Sequence, residues 1–460
     1  RSTLFPYTTL FRSMTAITQS TDVENEFSTT VEAFFRTFKL GAILKKSGAY
    51  KKRGLSALNV FRKLFELVFI HKSLFEALRM EKKPGAAKDT FYRFINSTCI
   101  NWMRFTRSLA AIVINDKIAP LTSEERVNVF IVDDSPYARN RSKNVELLSK
   151  VYDHSKKVFI RGFRLLTLGW SDGNTFVPVS SCLLASANAQ NRFQEARSVD
   201  KRSCGYQHRR LAQGTAPAAM MEMLRSALAS RLRASYVLFD SWFSTPSNIL
   251  DLKTETELDV IAMVKKTPKV HYLYEGKKLP VTKIYAQKAK RRGRSRYLLS
   301  VEAEICDSTG NKRIPVRLVF VRNRKNRKDY LVLLSTDLSL PEEEIIRLYG
   351  KRWSIEVFFK TCKSLLRLNR ECSAIGYDAM TAWVAVVFAR YVMLAYLNRV
   401  QTDERTLGEL FFRSCEELAD ITLQEAFQLL IKVFAEYVLE KQRLRSEEHT
   451  SELQSHDCIS

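Results

Sequence analysis

Apolar residues recur at three- and four-residue intervals from Glu24 to about Thr122, in VEAFFRTFKLGAIL, LNVFRKLFELVFIHKSLFEALRM and TFYRFINSTCINWMRFTRSLAAIV. That period lines one side of a helix, with Lys and Arg filling the other, and predicts an all-helical N-terminal region. KKSGAYKKRG and EKKPGAAKD break it into pieces. Basic helices suit DNA binding, and helix packing alone explains them equally well; no recognition helix stands out.

The period changes at VNVFIVDD, Val127 to Asp134, which reads as a buried strand ending in two carboxylates. FIRGFRLLTLGW and TFVPVSSCLLAS, joined by the turn-forming SDGN, predict two more strands in a meander. Ala216 to Leu232 is a helix with Pro217 in its first turn, where proline costs nothing. YVLFD is a short strand ending at Asp240; a helical turn from Thr245 and the strand LDVIAMV follow. This order predicts an α/β protein with a mixed sheet flanked by helices. The strand pieces VHYLY, RYLLSVEAEI and RIPVRLVFV then alternate with the basic loops KAKRRGRSR and RNRKNRK. After YLVLLST, the stretch SLPEEEIIRLYGKRWSIEVFFKTCKSLLRL predicts one long helix with acids at its start, as the macrodipole favours. Ala379 to Leu397 is a further apolar helix, and helical pieces run to about Arg445. Its most apolar part, Trp383 to Leu397, is short for a bilayer and contains Arg390, so a buried helix is expected and no membrane partner.

The ends fit none of these patterns. RSTLFPYTTLFRS and RSEEHTSELQSHDCIS look like translated sequencing-adapter DNA, which makes 1–13 and 446–460 scars and Met14 a natural start, unless the true one lies upstream. The division is then 14–122, helical and DNA-binding; 123–264, the first part of a catalytic core; 265–335, a basic β-rich insertion; 336–400, the second part of the core; and 401–445, C-terminal helices that could dimerise.

Charge sharpens the choice of partner. The 460 residues carry net +25, and losing the two Arg of the first scar and the four acids of the last raises it to +27. Between Lys265 and Lys328 stand 20 Lys or Arg against four acids. A cationic block of that density predicts DNA, because binding phosphates releases their counterions. The eight cysteines include no C-x-x-C pair, so neither a zinc site nor a disulfide framework is indicated and a reducing, cytoplasmic location fits.

On a helix through YGKRWSIEVFFKTCK, Tyr349, Arg352, Glu356, Lys360 and Lys363 fall within a sector of roughly 80°. Glu356 and Lys360 could be a plain surface pair, worth a few tenths of a kcal/mol. That leaves the convergence of the whole set unexplained. Asp133 or Asp134, and Asp240, sit at strand ends, where α/β chemistry is usually placed. Three convergent acids without histidine would suit two Mg²⁺ ions, with Mn²⁺ as substitute, and disfavour zinc.

Tyr349, Arg352, Glu356 and Lys363 also keep every spacing of the signature Y-x2-R-x3-E-x6-K, so the chain resembles bacterial DDE transposases of the group founded on insertion sequence four. The resemblance spans roughly Val127 to Leu397, and the DDS and FDS segments agree in order. It implies a ribonuclease H-like catalytic core interrupted by a β-rich insertion. It also implies a metal-binding catalytic triad of Asp134, Asp240 and Glu356. Asp134 is preferred to Asp133 because it directly precedes Ser135; strand alternation lets only one of the two serve. Tyr349, Arg352 and Lys363 would hold phosphates at the transposon end, with Lys360 added here on its position and Arg291, Arg292 and Arg294 from the basic loop. Trp353 and Tyr297 are the candidates to stack a flipped base. The implied partners are terminal inverted repeats and target DNA, with a homodimer cutting both ends. The alternatives are a ribonuclease H-like nuclease without strand transfer and an inactive DNA-binding inhibitor of transposition.

Overall fold

The computed structural model describes residues 31–401, apart from 52, 69–72, 81–86, 124, 155, 293–294, 308–310, 324–325, 327–328 and 371–372. Both scars, Arg294 and all but the first residue of the expected dimerisation helices of 401–445 therefore lie outside the described residues.

After a helical stretch at 31–37 come five short helices: α1 (Leu40–Lys46), α2 (Ala57–Glu66), α3 (Leu74–Met80), α4 (Lys88–Ile95) and α5 (Trp102–Val113). Their starts follow from capping chemistry. The Ser56 hydroxyl accepts from Asn59 N ahead of α2, and the Asn101 side chain accepts from Arg104 N ahead of α5. Their apolar faces meet in an aromatic core of Phe34, Phe61, Phe65, Trp102 and Phe105. α5 packs on the central sheet, so these helices shield the sheet as well as packing on one another.

The sheet has eleven strands: β1 (Val129–Ala138), β2 (Ser149–Asp153), β3 (Val158–Ser171), β4 (Phe176–Leu184), β5 (Tyr236–Phe239), β6 (Asp259–Met263), β7 (Tyr272–Tyr274), β8 (Lys277–Leu279), β9 (Tyr297–Cys306), β10 (Arg313–Arg322) and β11 (Tyr330–Ser335). Their order is β2-β3-β1-β5-β6-β11-β10-β9-β7-β8, with β4 on β3. β1, β5 and β6 are parallel, and the other pairings are antiparallel. The expected mixed α/β sheet is present. The basic stretch 265–335 does not make a sheet of its own: its strands continue the same sheet through β11 on β6.

Two details correct the sequence reading. β1 does not stop at its carboxylates but runs on to Ala138 against β3. β5 pairs only with Val129–Val132, so the later part of β1 is partnered on β3's side alone, where Pro136 is tolerated without its N–H. The long helix at the end of the insertion is two helices, α10 (Glu342–Gly350) and α11 (Trp353–Ser364), after α6 (Cys204–Ala212), α7 (Ala216–Ala229), α8 (Pro246–Thr256) and α9 (Val281–Gln287).

α12 (Tyr377–Gln401), at 25 residues, is longer than the apolar pattern suggested. It is long and apolar enough to cross a bilayer, but 72% of its apolar window is buried inside the protein. Arg390 is fully buried there, and its guanidinium donates to the carbonyls of Leu64 (2.6 Å) and Phe65 (2.8 Å). A buried arginine bonded to α2's last turn fixes α12 as a core helix. The described cysteines form no disulfide.

Candidate active site

The register of the parallel strands assembles the site. Val132 on β1 lies opposite Phe239 on β5, so the next residues, Asp133 and Asp240, leave the paired region side by side. Asp240 follows the last residue of β5, and its carboxylate accepts from Trp242 N at 2.9 Å, which turns the chain into the loop before α8.

Strand alternation sends Asp133 and Ser135 to one face of β1 and Asp134 to the other. α11 packs on the first face. Arg352 Nη1 donates to Asp133 at 3.0 Å, its Nη2 pairs with Glu356, and Lys363 Nζ donates to the Ser135 hydroxyl at 2.5 Å. Asp134 points away and pairs with Arg164 of β3. The carboxylate that shares Arg352 with Glu356 is thus Asp133 rather than the expected Asp134, which lies on the other side of the strand.

The electrostatics follow this arrangement. Burial raises the Asp133 carboxyl to about 7; Arg352 opposes the rise and the Asp240 charge adds to it. Burial likewise raises Asp134, against the pull of Arg164. Tyr349 is pushed up to about 12, chiefly by burial, with Arg352 opposing and Asp240 adding. Its ring centre lies 5.8 Å from the Arg352 guanidinium. Burial lowers Lys363 from the usual lysine range.

The break between α10 and α11 does not scatter the signature. Lys351 and Arg352 keep right-handed helical torsions, so Tyr349, Arg352 and Glu356 still meet. Lys351, which the sequence reading passed over, is buried and donates to the carbonyls of Val127 (2.6 Å) and Asp172 (3.3 Å). It clasps the helix junction to the start of β1 and to the β3–β4 turn.

Lys360 and Trp353 are exposed on α11, Trp353 at 42%. Tyr297 is not an open stacking surface: it is buried, and the Arg291 guanidinium covers its ring at 4.3 Å. Arg291 and Arg292 are exposed before β9, four places from β5 in the sheet order and so roughly 19 Å away at ~4.8 Å per strand. They do not belong to the carboxylate cluster. Arg164 was missed, although the second arginine of FIRGFRLLTLGW, set against an apolar run, was a visible signal for an acidic partner.

Asp133, Asp240 and Glu356 offer only carboxylate oxygens, a donor set that fits hard divalent cations and not zinc. As they stand, no three acidic, histidine or cysteine side chains among the described residues are close enough to ligate one ion. Arg352 supplies the positive charge that holds Asp133 and Glu356 together. Its Nε and the Tyr349 hydroxyl are buried, and the hydroxyl lies beside the Arg352 guanidinium.

A mixed sheet whose parallel strand ends present carboxylates to a Glu-bearing helix defines an α/β protein with a candidate phosphodiester-cutting site. Residues 71–312, more than half of the chain, match the family described as DDE superfamily endonuclease, and the chain belongs to that family. That match includes Asp133 and Asp240 and ends before Glu356. A Sinorhizobium fredii protein provisionally named transposase y4zB is 28% identical over 122 residues, which are 26% of this chain and 34% of that protein. The chain thus spans about a third of the length of this curated relative.

Proposed function

We propose that the protein is a transposase of the group founded on insertion sequence four, with a ribonuclease H-like core. It binds the terminal inverted repeats of its element, hydrolyses the phosphodiester at each end and joins the freed 3′-hydroxyl to target DNA. One observation carries the reading: Arg352 ties Asp133 on β1 to Glu356 on α11, beside Asp240 at the end of β5.

In this reading Asp133, Asp240 and Glu356 hold the divalent ions. Mg²⁺ or Mn²⁺ bound there would activate the attacking oxygen and stabilise the leaving one. Arg352 and Tyr349 donate to the scissile strand's phosphates. Lys363 and Lys360 extend the cationic side of α11 along the backbone, and the basic loops before β9 and after β10 hold DNA farther out.

The test is to incubate the protein and Glu356→Ala with Mg²⁺ and DNA that carries the flanking inverted repeats. The wild type cuts at the repeat ends and joins them to a target plasmid, whereas Glu356→Ala does neither. Cutting that survives the substitution overturns the assignment. Cutting without joining favours a nuclease that lacks strand transfer.

A further inference from the structure

An aromatic and cationic path leads away from the carboxylates. Tyr152 on β2 faces Phe159 on β3 in register, with ring centres 5.1 Å apart. Tyr152 packs edge-on to His154 at 4.9 Å, and His154 to Trp242 at 5.8 Å. Cations sit on these rings: Lys150 Nζ 4.4 Å from Phe159, and the Arg164 guanidinium 4.6 Å and Lys265 Nζ 5.9 Å from Trp242. The path starts beside the active site, since Trp242 N donates to Asp240, while Arg164 pairs with Asp134 on the other face of β1.

An aromatic cluster that served only packing would be buried. Here Tyr152 is 38%, Trp242 47% and Phe159 62% exposed, at strand and loop positions that ordinarily carry polar side chains. Beside Trp242 lies a recess lined by Ser244, Thr245, Lys265 and Val270.

We propose that this path binds an unpaired DNA strand leading out of the active site. Bases stack on Trp242, Tyr152 and Phe159, and phosphates pair with Lys150, Arg164 and Lys265. A duplex keeps its base faces inside the stack, so it would use the cations and leave the rings idle. An unpaired strand uses both. Three cations seated on the rings favour a phosphate polymer over an apolar protein surface. The inference rests on the proposed cutting of DNA at the carboxylates, the step that frees a strand there.

The test uses the full chain in EDTA, with a fluorescent single strand of about 12 nucleotides and the duplex of the same sequence. Phe159→Ala with Trp242→Ala weakens single-strand binding about tenfold or more and duplex binding much less, because each stacked base is worth about 1–3 kcal/mol. The single strand quenches tryptophan emission of the wild type and not of Trp242→Phe, which keeps a ring and most of the affinity. If the double variant folds poorly, Tyr152→Ala alone, at an exposed position, carries the same single-strand selectivity. Unchanged single-strand affinity, or an equal loss for duplex, overturns the proposal. So does a change in oligomeric state with strand binding intact, which would make the path a protein interface. End cutting with Mg²⁺ is run in parallel. Strand binding without end cutting sinks the transposase reading and leaves the path, whereas end cutting with unaltered strand binding by the variants sinks the path alone.

Discussion

Asp133 and Asp134 are chemically identical neighbours whose fates differ because a strand turns them to opposite faces. Asp133 meets Arg352, which also pairs with Glu356, and Asp134 meets Arg164, while the charge of Asp240 acts on both. Asp133→Asn is therefore expected to lower end cutting by about 10³-fold or more, since several kcal/mol of transition-state stabilisation would be lost. Asp134→Asn, which keeps the side-chain volume and leaves the Glu356 face intact, is expected to stay within about tenfold. Single-turnover cutting of the same DNA ranks the two, and the reverse ranking would return the role to Asp134. Alternation of the VDDS segment already showed that only one carboxylate could serve. Which one depends on where α11 packs, and no local pattern around Asp133 carries that information.

At the scale of elements, the strands of the core other than β2 and the helix at 216–229 were legible, and the helix at 246–256 was legible at its start, because their period and caps are local. The division between α10 and α11 was not. Lys351 and Arg352 stay in right-handed torsions, so the apolar period runs through the break. The cause is tertiary, a lysine drawn in to the carbonyls of Val127 and Asp172. α6 was missed for a related reason: CGYQHRRLA is polar by composition, yet His208 and Arg209 are buried. Its His208 ring lies 3.3 Å from the side chain of Asn101, the cap of α5, and burial lowers its pKa to about 4, with Arg209 adding to the effect. Above about pH 6.5 the ring is neutral folded and unfolded alike. Between 6.5 and 4 the unfolded chain takes up the proton more readily, so stability is lost as pH falls, by up to roughly 3 kcal/mol. Urea unfolding at pH 7 and pH 5 should show this loss in the wild type and a smaller one in His208→Gln. Equal losses would exclude His208 as the source.

For the molecule as a whole, two charge arrangements act at different depths. Inside, Arg209 of α6 joins Glu146, in the loop before β2, to Asp378 in the first turn of α12, and all three are buried. Arg209 and the backbone N–H groups of Tyr377 and Arg197 hold Glu146 below the usual carboxylate range against its burial. Arg209→Met would leave two buried carboxylates without their cation and should cost about 3–5 kcal/mol, read as a lower thermal midpoint. Sequence gave no sign of this triad, since its members are 63 and 169 residues apart.

Outside, the cationic excess was fully visible in the sequence, and the structure shows what it decorates. The insertion's strands extend the same sheet that holds the carboxylates, so its basic loops lie along one rigid element with the active site. Lys290 and Arg292 stand on the loop before β9, with Lys290 Nζ 4.6 Å from the Tyr285 ring centre and Arg291 beside them covering Tyr297. If that loop tracks phosphates, replacing Lys290 and Arg292 by Ala removes up to two counterion-releasing contacts. The slope of log affinity against log salt should then become shallower by about 2, for any DNA sequence, because phosphate contacts carry no base information. A titration of duplex binding between about 50 and 200 mM salt measures the slope directly. An unchanged slope would place the DNA on another face of the sheet. A slope change confined to inverted-repeat DNA would mean that the loop reads sequence as well as charge.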